Sequence, residues 1–207
     1  IEPTQTASTY DLSKKAYVLV FHHDKFKDAL HNRNGSAEDL KKLRQTLAHY
    51  RCDQLDVNEN KNIDQVERKM EEIKKKDFTQ YSCLIVFIMS HGNANDTIMA
   101  QDGKYYSFQK DVVELCTSNR TLNDKPKLFV VQACRGAAHI VTDATPSMSH
   151  KIDLVIFHSS FQGAVSFRDQ KRGSFFMQAF LRLLHKHNNE SIVKINTLLN
   201  QEFTQNG

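Results

Sequence analysis

Two short, unbroken apolar runs constrain this chain most, because each stops abruptly in polar, reactive residues. One, Cys83 to Met89 (C-L-I-V-F-I-M), ends in Ser90-His91-Gly92. The other, Leu128-Phe129-Val130-Val131, ends in Gln132-Ala133-Cys134-Arg135-Gly136. Runs of this length, rich in β-branched and aromatic residues, read as strands buried on both faces, as in the middle of a parallel sheet. In open α/β sheets ligands bind beyond the carboxyl ends of the strands, so Cys134 and His91 stand where chemistry is done. If the two strands are neighbours, they deliver a thiol and an imidazole to one edge of the sheet. A thiolate is a strong nucleophile, and an adjacent base or cation lowers its pKa. Either residue alone is more often structural, since Cys is among the most buried residue types. The pairing at two strand ends, each followed closely by glycine, is what points to a site.

The remaining periodicities build a frame around these strands. Ala16 to Phe21 reads as a first strand and Arg51 to Val57 as a weaker second one. Leu40, Leu43, Leu47 and Tyr50 recur at three- and four-residue steps, predicting an amphipathic helix that opens at Ser36, with Ser36 and Asp39 as an S-x-x-D capping box. Ile63, Val66, Met70 and Ile73 mark a second helix, and Ser107 to Leu115 a shorter third. Asn93 to Tyr106 reads as a loop with a turn at Asp102-Gly103. The βαβαβαβ order predicts a mainly parallel sheet with helices on both faces. Ala137 to Lys151 has no hydrophobic period and reads as an exposed linker. Asp153 to His158 is a fifth strand, Ser159 to Arg172 a loop, and Ser174 to His187 and Ser191 to Phe203 are two further helices.

Composition excludes several function classes. The 207 residues suffice for one sizeable α/β domain. The net charge of +4 comes from scattered basic residues. The run Lys74-Lys75-Lys76 reads as a solvated helix end, so no nucleic-acid partner is expected. No apolar stretch reaches membrane-spanning length and no signal peptide is visible, so no membrane partner is expected either. The four cysteines, Cys52, Cys83, Cys116 and Cys134, show neither C-x-x-C spacing nor histidines at metal-site spacing. A reducing, cytoplasmic setting follows, with no metal and no cofactor. No glycine-rich phosphate loop follows the first strand, which argues against a nucleotide binder.

The string Gln132-Ala133-Cys134-Arg135-Gly136 matches the signature of the caspase family, whose catalytic histidine lies about 50 residues upstream of the cysteine. Here His91 precedes Cys134 by 43 positions. The chain therefore resembles a caspase, an aspartate-directed cysteine protease, from about Tyr10 to Phe203. The resemblance implies a three-layer α/β fold with a mostly parallel central sheet. It implies one catalytic domain, with residues 1–143 as a large-subunit-like part and 144–207 as a small-subunit-like part. It assigns Cys134 as nucleophile and His91 as proton carrier, oriented by a backbone carbonyl near His31. The backbone N–H groups of Gly92 and Cys134 would stabilise the oxyanion.

For the substrate aspartate, the family uses two arginines and a glutamine, and these map to Arg33, Arg168 and Gln132. Ser166-Phe167-Arg168 stands where the family has Ser-Trp-Arg. Phe167 for tryptophan, and Val165 where an aromatic is common, should alter the subsite next to the aspartate pocket. Phe175 replaces a further tryptophan at a more distant subsite. Asp143, the acidic residue of the linker, resembles a processing site that would release a fragment beginning at Ala144.

By resemblance the partners are protein substrates with Asp before the cut bond, a second caspase-like chain in a homodimer or heterodimer, and inhibitor or adaptor proteins. The family pattern continues after Phe203 through a loop and a dimer-forming strand, which is expected to be missing here. The expected function is thus an endopeptidase of apoptosis or a related signalling cascade. The alternative is a weak or inactive caspase-like regulator that binds an active caspase.

Overall fold

The computed structural model describes residues 10–134, 153–159, 168–169 and 173–205. Strand β1 (Lys15–His22) is followed by helix α1 (Ser36–Leu47), strand β2 (Asp56–Glu59), helix α2 (Ile63–Lys75) and strand β3 (Tyr81–Met89). Three short strands come next: β4 (Gly92–Asn93), β5 (Thr97–Met99) and β6 (Tyr105–Ser107). A π-helical turn over Phe108–Val113 leads into α3 (Glu114–Thr117), then β7 (Lys127–Gln132) and β8 (Leu154–His158). The hairpin strands β9 (Arg168–Asp169) and β10 (Gly173–Ser174) precede α4 (Phe175–Lys186) and α5 (Ile192–Gln205).

The five long strands form one sheet in the order β2-β1-β3-β7-β8, with every pairing parallel. Alternation along each strand sends side chains to two cores. Tyr17, Leu19, Phe21, Leu84, Val86, Ile88, Phe129 and Val131 face α2 and the Phe108–Thr117 segment. Val18, Val20, Phe87, Met89, Val130 and Phe157 face α1, α4 and α5. The result is the three-layer α/β arrangement expected, with both apolar faces covered by helices. Burial of each such side chain contributes roughly 1.5–3 kcal/mol, before the entropy of ordering it is set against the gain. The division proposed at 143/144 lies outside the described residues. β8 nevertheless pairs with β7 and α4 packs on α1, so elements from both parts share one frame.

Several local expectations need correction. The helix predicted from Ser36 forms, but Ser36 and Asp39 do not cap it. Its N-cap is Gly35, held at φ +85°, with no side-chain bond to the helix amides. Ser36 and Asp39 are both fully buried and serve other partners described below. A full capping box occurs instead at α2, between Asn62 and Gln65. The segment read as a loop from Asn93 to Tyr106 contains the antiparallel sheet β4-β5-β6, whose strands are too short to display a period. The turn at Asp102-Gly103 holds, with Gly103 at φ +84° and its N–H donating to the Ala100 carbonyl at 3.0 Å. The third helix is largely a π turn. The second strand shrinks to β2, with Cys52 making an isolated bridge to Ala16. The linker Ala137 to Lys151 lies outside the described residues. Among the described residues, no helix is long and apolar enough to cross a membrane.

Candidate active site

The site grows from the carboxyl ends of β1, β3 and β7, which are adjacent and in register: His22 lies opposite Met89, and Met89 opposite Gln132. The two strands singled out in the sequence are therefore neighbours. Past the paired residues, the Ser90 N–H donates to the Gln132 carbonyl at 3.1 Å, and the His23 N–H to the Met89 carbonyl at 2.9 Å. The chain then brings Gly92 against Cys134. A Cβ at Gly92 would overlap the Cys134 carbonyl oxygen and approach the Ala133 Cβ to 3.0 Å. Glycine here follows from the close approach of two backbones. Cys134 and His91 are both half-buried, which leaves them reachable.

The His91 ring is held from its far side. Its Nε2 lies 2.7 Å from the carbonyl oxygen of His31. A carbonyl oxygen only accepts, so Nε2 carries the hydrogen and Nδ1 is the basic nitrogen of the neutral ring. That carbonyl is set by a 3-10 turn over Ala29–His31, where Asp28 caps the Leu30 amide at 3.0 Å. The Phe26 ring packs against the imidazole with centroids 5.3 Å apart. This is a backbone carbonyl near His31, as the family resemblance implies.

Arg33 is the most unusual buried side chain in the protein, with 1 % of its surface exposed. Its Nη1 donates to the His23 carbonyl at 2.8 Å and to Ser36 Oγ at 2.9 Å, and its Nη2 donates to Gln132 Oε1. Gln132 is itself 2 % exposed and stands two residues before Cys134. A guanidinium is desolvated at high cost unless its donors are engaged. Here it is locked as a planar fork at the strand ends, a geometry that matches a carboxylate. Arg33 and Gln132, distant in sequence, are thus brought together beside the cysteine.

The other sequence-predicted residues are placed less fully. Arg168 is located by its backbone in β9, opposite Ser174 of β10. Val165, Ser166, Phe167 and Asp143 lie outside the described residues. Phe175, at the start of α4, is 59 % exposed.

Sequence reasoning missed three supporting residues. The spacing of Ser36 matches a helix cap, yet its Oγ holds Arg33 and lies 3.0 Å from the His22 Nε2. Ser159 Oγ accepts from the Ala133 N–H at 3.1 Å and lies 3.2 Å from the Ala133 carbonyl, tying β8 to the residue before Cys134. Its signal was a polar residue directly after the fifth apolar run. Asp39, the third, is fully buried with no apolar role in the helix stripe.

Three further cysteines lie away from this strand edge. Burial pushes the Cys83 thiol up to about 11 and the Cys116 thiol up to about 12, and raises Cys52 as well. Those three are held as inert thiols. Among the described residues, no group of three or more His, Cys, Asp or Glu side chains is placed to hold a metal ion.

The family model of the caspase domain matches residues 15–207. Among curated proteins, Caspase-1 of Spodoptera frugiperda is 29 % identical over 84 % of this chain and 63 % of its own length. Caspase drICE of Drosophila melanogaster is 30 % identical over 84 % of this chain and 56 % of its own length. Caspase-3 of Xenopus laevis is 28 % identical over 81 % of this chain and 63 % of its own length. The chain thus spans less than two thirds of each of these relatives. The crystal structure of Caspase-1 from Spodoptera frugiperda superposes with a TM-score of 0.80 at 25 % identity, covering 95 % of this chain and 80 % of that one. A parallel sheet that sets a cysteine beside an S-H-G turn, and a domain match over nearly the whole sequence, lead to one conclusion: this chain belongs to the caspase family.

Proposed function

We propose that the protein is a cysteine endopeptidase that hydrolyses peptide bonds after aspartate. The observation that carries this is the buried Arg33–Gln132 pair, set two residues from Cys134 and at the same strand edge as His91. In the proposed reaction the Cys134 sulfur attacks the scissile carbonyl and its proton passes to Nδ1 of His91. The tetrahedral intermediate collapses as the C–N bond breaks, and His91 returns that proton to the leaving amine. Water, deprotonated by His91, then attacks the thioester and releases the acid and the thiol. The bond to the His31 carbonyl keeps Nε2 protonated and aims the basic nitrogen. Backbone N–H groups of Gly92 and Cys134 serve the oxyanion, as the family resemblance implies. Arg33, Gln132 and Arg168 receive the substrate carboxylate, with Ser166, Val165 and Phe167 shaping the neighbouring subsite.

The proposal extends to protein substrates in apoptosis or a related signalling cascade, a reducing cytoplasmic setting for thiol chemistry, and pairing with a second caspase-like chain. The test is turnover of fluorogenic tetrapeptides ending in Asp, Asn or Glu, by the wild type and by Cys134→Ala. Cleavage confined to the Asp series and lost in the variant is expected. Absence of turnover at high protein concentration would overturn the protease and favour a regulator that binds an active caspase.

A further inference from the structure

Asp39 is a carboxylate with 0 % of its surface exposed, and it is not spent on the helix that carries it. Both of its oxygens lie 2.9 Å from the Ser174 amide nitrogen, and Oδ1 also accepts from Gln178 Nε2 at 3.0 Å. Gly173 sits directly against it: a Cβ there would overlap Oδ1 and come within 2.9 Å of the carboxyl carbon. Gly173 is also held at φ +86°, so this glycine is required twice, by its conformation and by the carboxylate beneath it. Burial pushes the Asp39 pKa up, while the Gln178 and Ser174 bonds and the nearby Arg33 charge pull it down.

The strand that Asp39 grips is the one opposite Arg168. In the β9–β10 hairpin Ser174 is the register partner of Arg168, and Gly173 that of Asp169. The Ser174 side chain faces the other way in function, capping α4 through the Met177 amide at 3.1 Å. Three residues before Asp39, Ser36 Oγ holds the Arg33 guanidinium. We infer that Asp39 is a positioning residue for the aspartate pocket: through the Ser174 amide it fixes the hairpin that carries Arg168. The first turn of α1 thereby holds the Arg33 guanidinium through Ser36 and the backbone strand paired with Arg168 through Asp39. This inference rests on the proposed specificity for aspartate and deepens it. It also gives a reason for two polar residues to be buried at the start of a helix they do not cap.

The test compares the wild type with Asp39→Asn and Gln178→Met in the full chain. Asp39→Asn keeps size and one acceptor oxygen but removes the charge; Gln178→Met removes one donor at nearly constant volume. Four quantities are read: KM and kcat on Asp peptides, the Asp-over-Asn preference, the rate of Cys134 alkylation by iodoacetamide, and the thermal midpoint. Iodoacetamide is small and neutral and does not need the arginines.

For Asp39→Asn the KM for Asp peptides should rise about tenfold and the Asp preference shrink in proportion, as one charge-assisted contact is misplaced. The kcat should stay within about threefold and the alkylation rate should not change, because binding and not the nucleophile is affected. Gln178→Met should shift KM in the same direction by less. Unchanged KM in both variants, or equal losses in kcat and alkylation, would overturn the positioning role. If Asp39→Asn does not fold, the result for Gln178→Met decides. A wild type that never cleaves Asp peptides would overturn the protease itself and this inference with it. A wild type that cleaves them, with both variants unchanged, would overturn the positioning alone.

Discussion

Gln132 accepts a hydrogen bond from Arg33 Nη2 inside the protein, and as a neutral amide it orients the guanidinium without neutralising it. A carboxylate at the same place would do both. Gln132→Glu should therefore form a charge-assisted pair with Arg33 and repel a substrate aspartate. The expected result is a KM for Asp peptides raised by about tenfold or more, with no loss of thermal stability. An unchanged KM would remove the Arg33–Gln132 pair from the pocket. Ser36 makes the complementary point about legibility. Its spacing to Asp39 matches a capping signature, and nothing local distinguishes a cap from a support. What decided against the cap was a buried guanidinium needing an acceptor and a buried amide needing a carboxylate, both supplied from outside the helix.

At the scale of elements, the end of β1 carries a pH dependence. His22 and His23 are 1 % and 0 % exposed, and among the described residues Nδ1 of each has no hydrogen-bond partner. Burial, then the Arg33 charge, pushes His23 down to about 3; burial also lowers His22, against the opposing pull of Asp24. The sign follows from which state takes up protons. Both rings are neutral in the fold, whereas the unfolded chain protonates them near the ordinary imidazole value of 6.5. Stability is therefore complete above that value and falls as pH drops below 6.5, down to about 3 for His23 and in the same direction for His22, by at most about 1.4 kcal/mol per pH unit for each histidine. Urea unfolding midpoints should decline between about pH 7 and about pH 5, well above the carboxylate range. A flat midpoint across that window would mean the two rings titrate normally in the fold.

For the whole molecule, the chain between β7 and β8 holds Asp143. We expect active protein to cut itself there, so that mass spectrometry finds a fragment beginning at Ala144; fully active material with an intact chain would count against it. The parallel sheet and its layers were legible in the sequence because long apolar runs and helical stripes are local signals. Cys83 to Met89 and Leu128 to Val131 announce themselves wherever they end up. Cys134 and His91 were legible for the same reason, since each marks where such a run stops. The small sheet β4-β5-β6 was not, because two- and three-residue strands carry no period and depend on pairing. Nor were Ser159 and Asp39, whose roles depend on partners 26 and 135 residues away. The sequence by itself determined the long strands, the main helices and the placing of His91 and Cys134 where two strands end, because those follow from side-chain chemistry and nearest-neighbour periodicity. Only the tertiary structure decided which buried donors met which acceptors, because hydrogen bonds in a dry interior are settled by where the chain brings groups together.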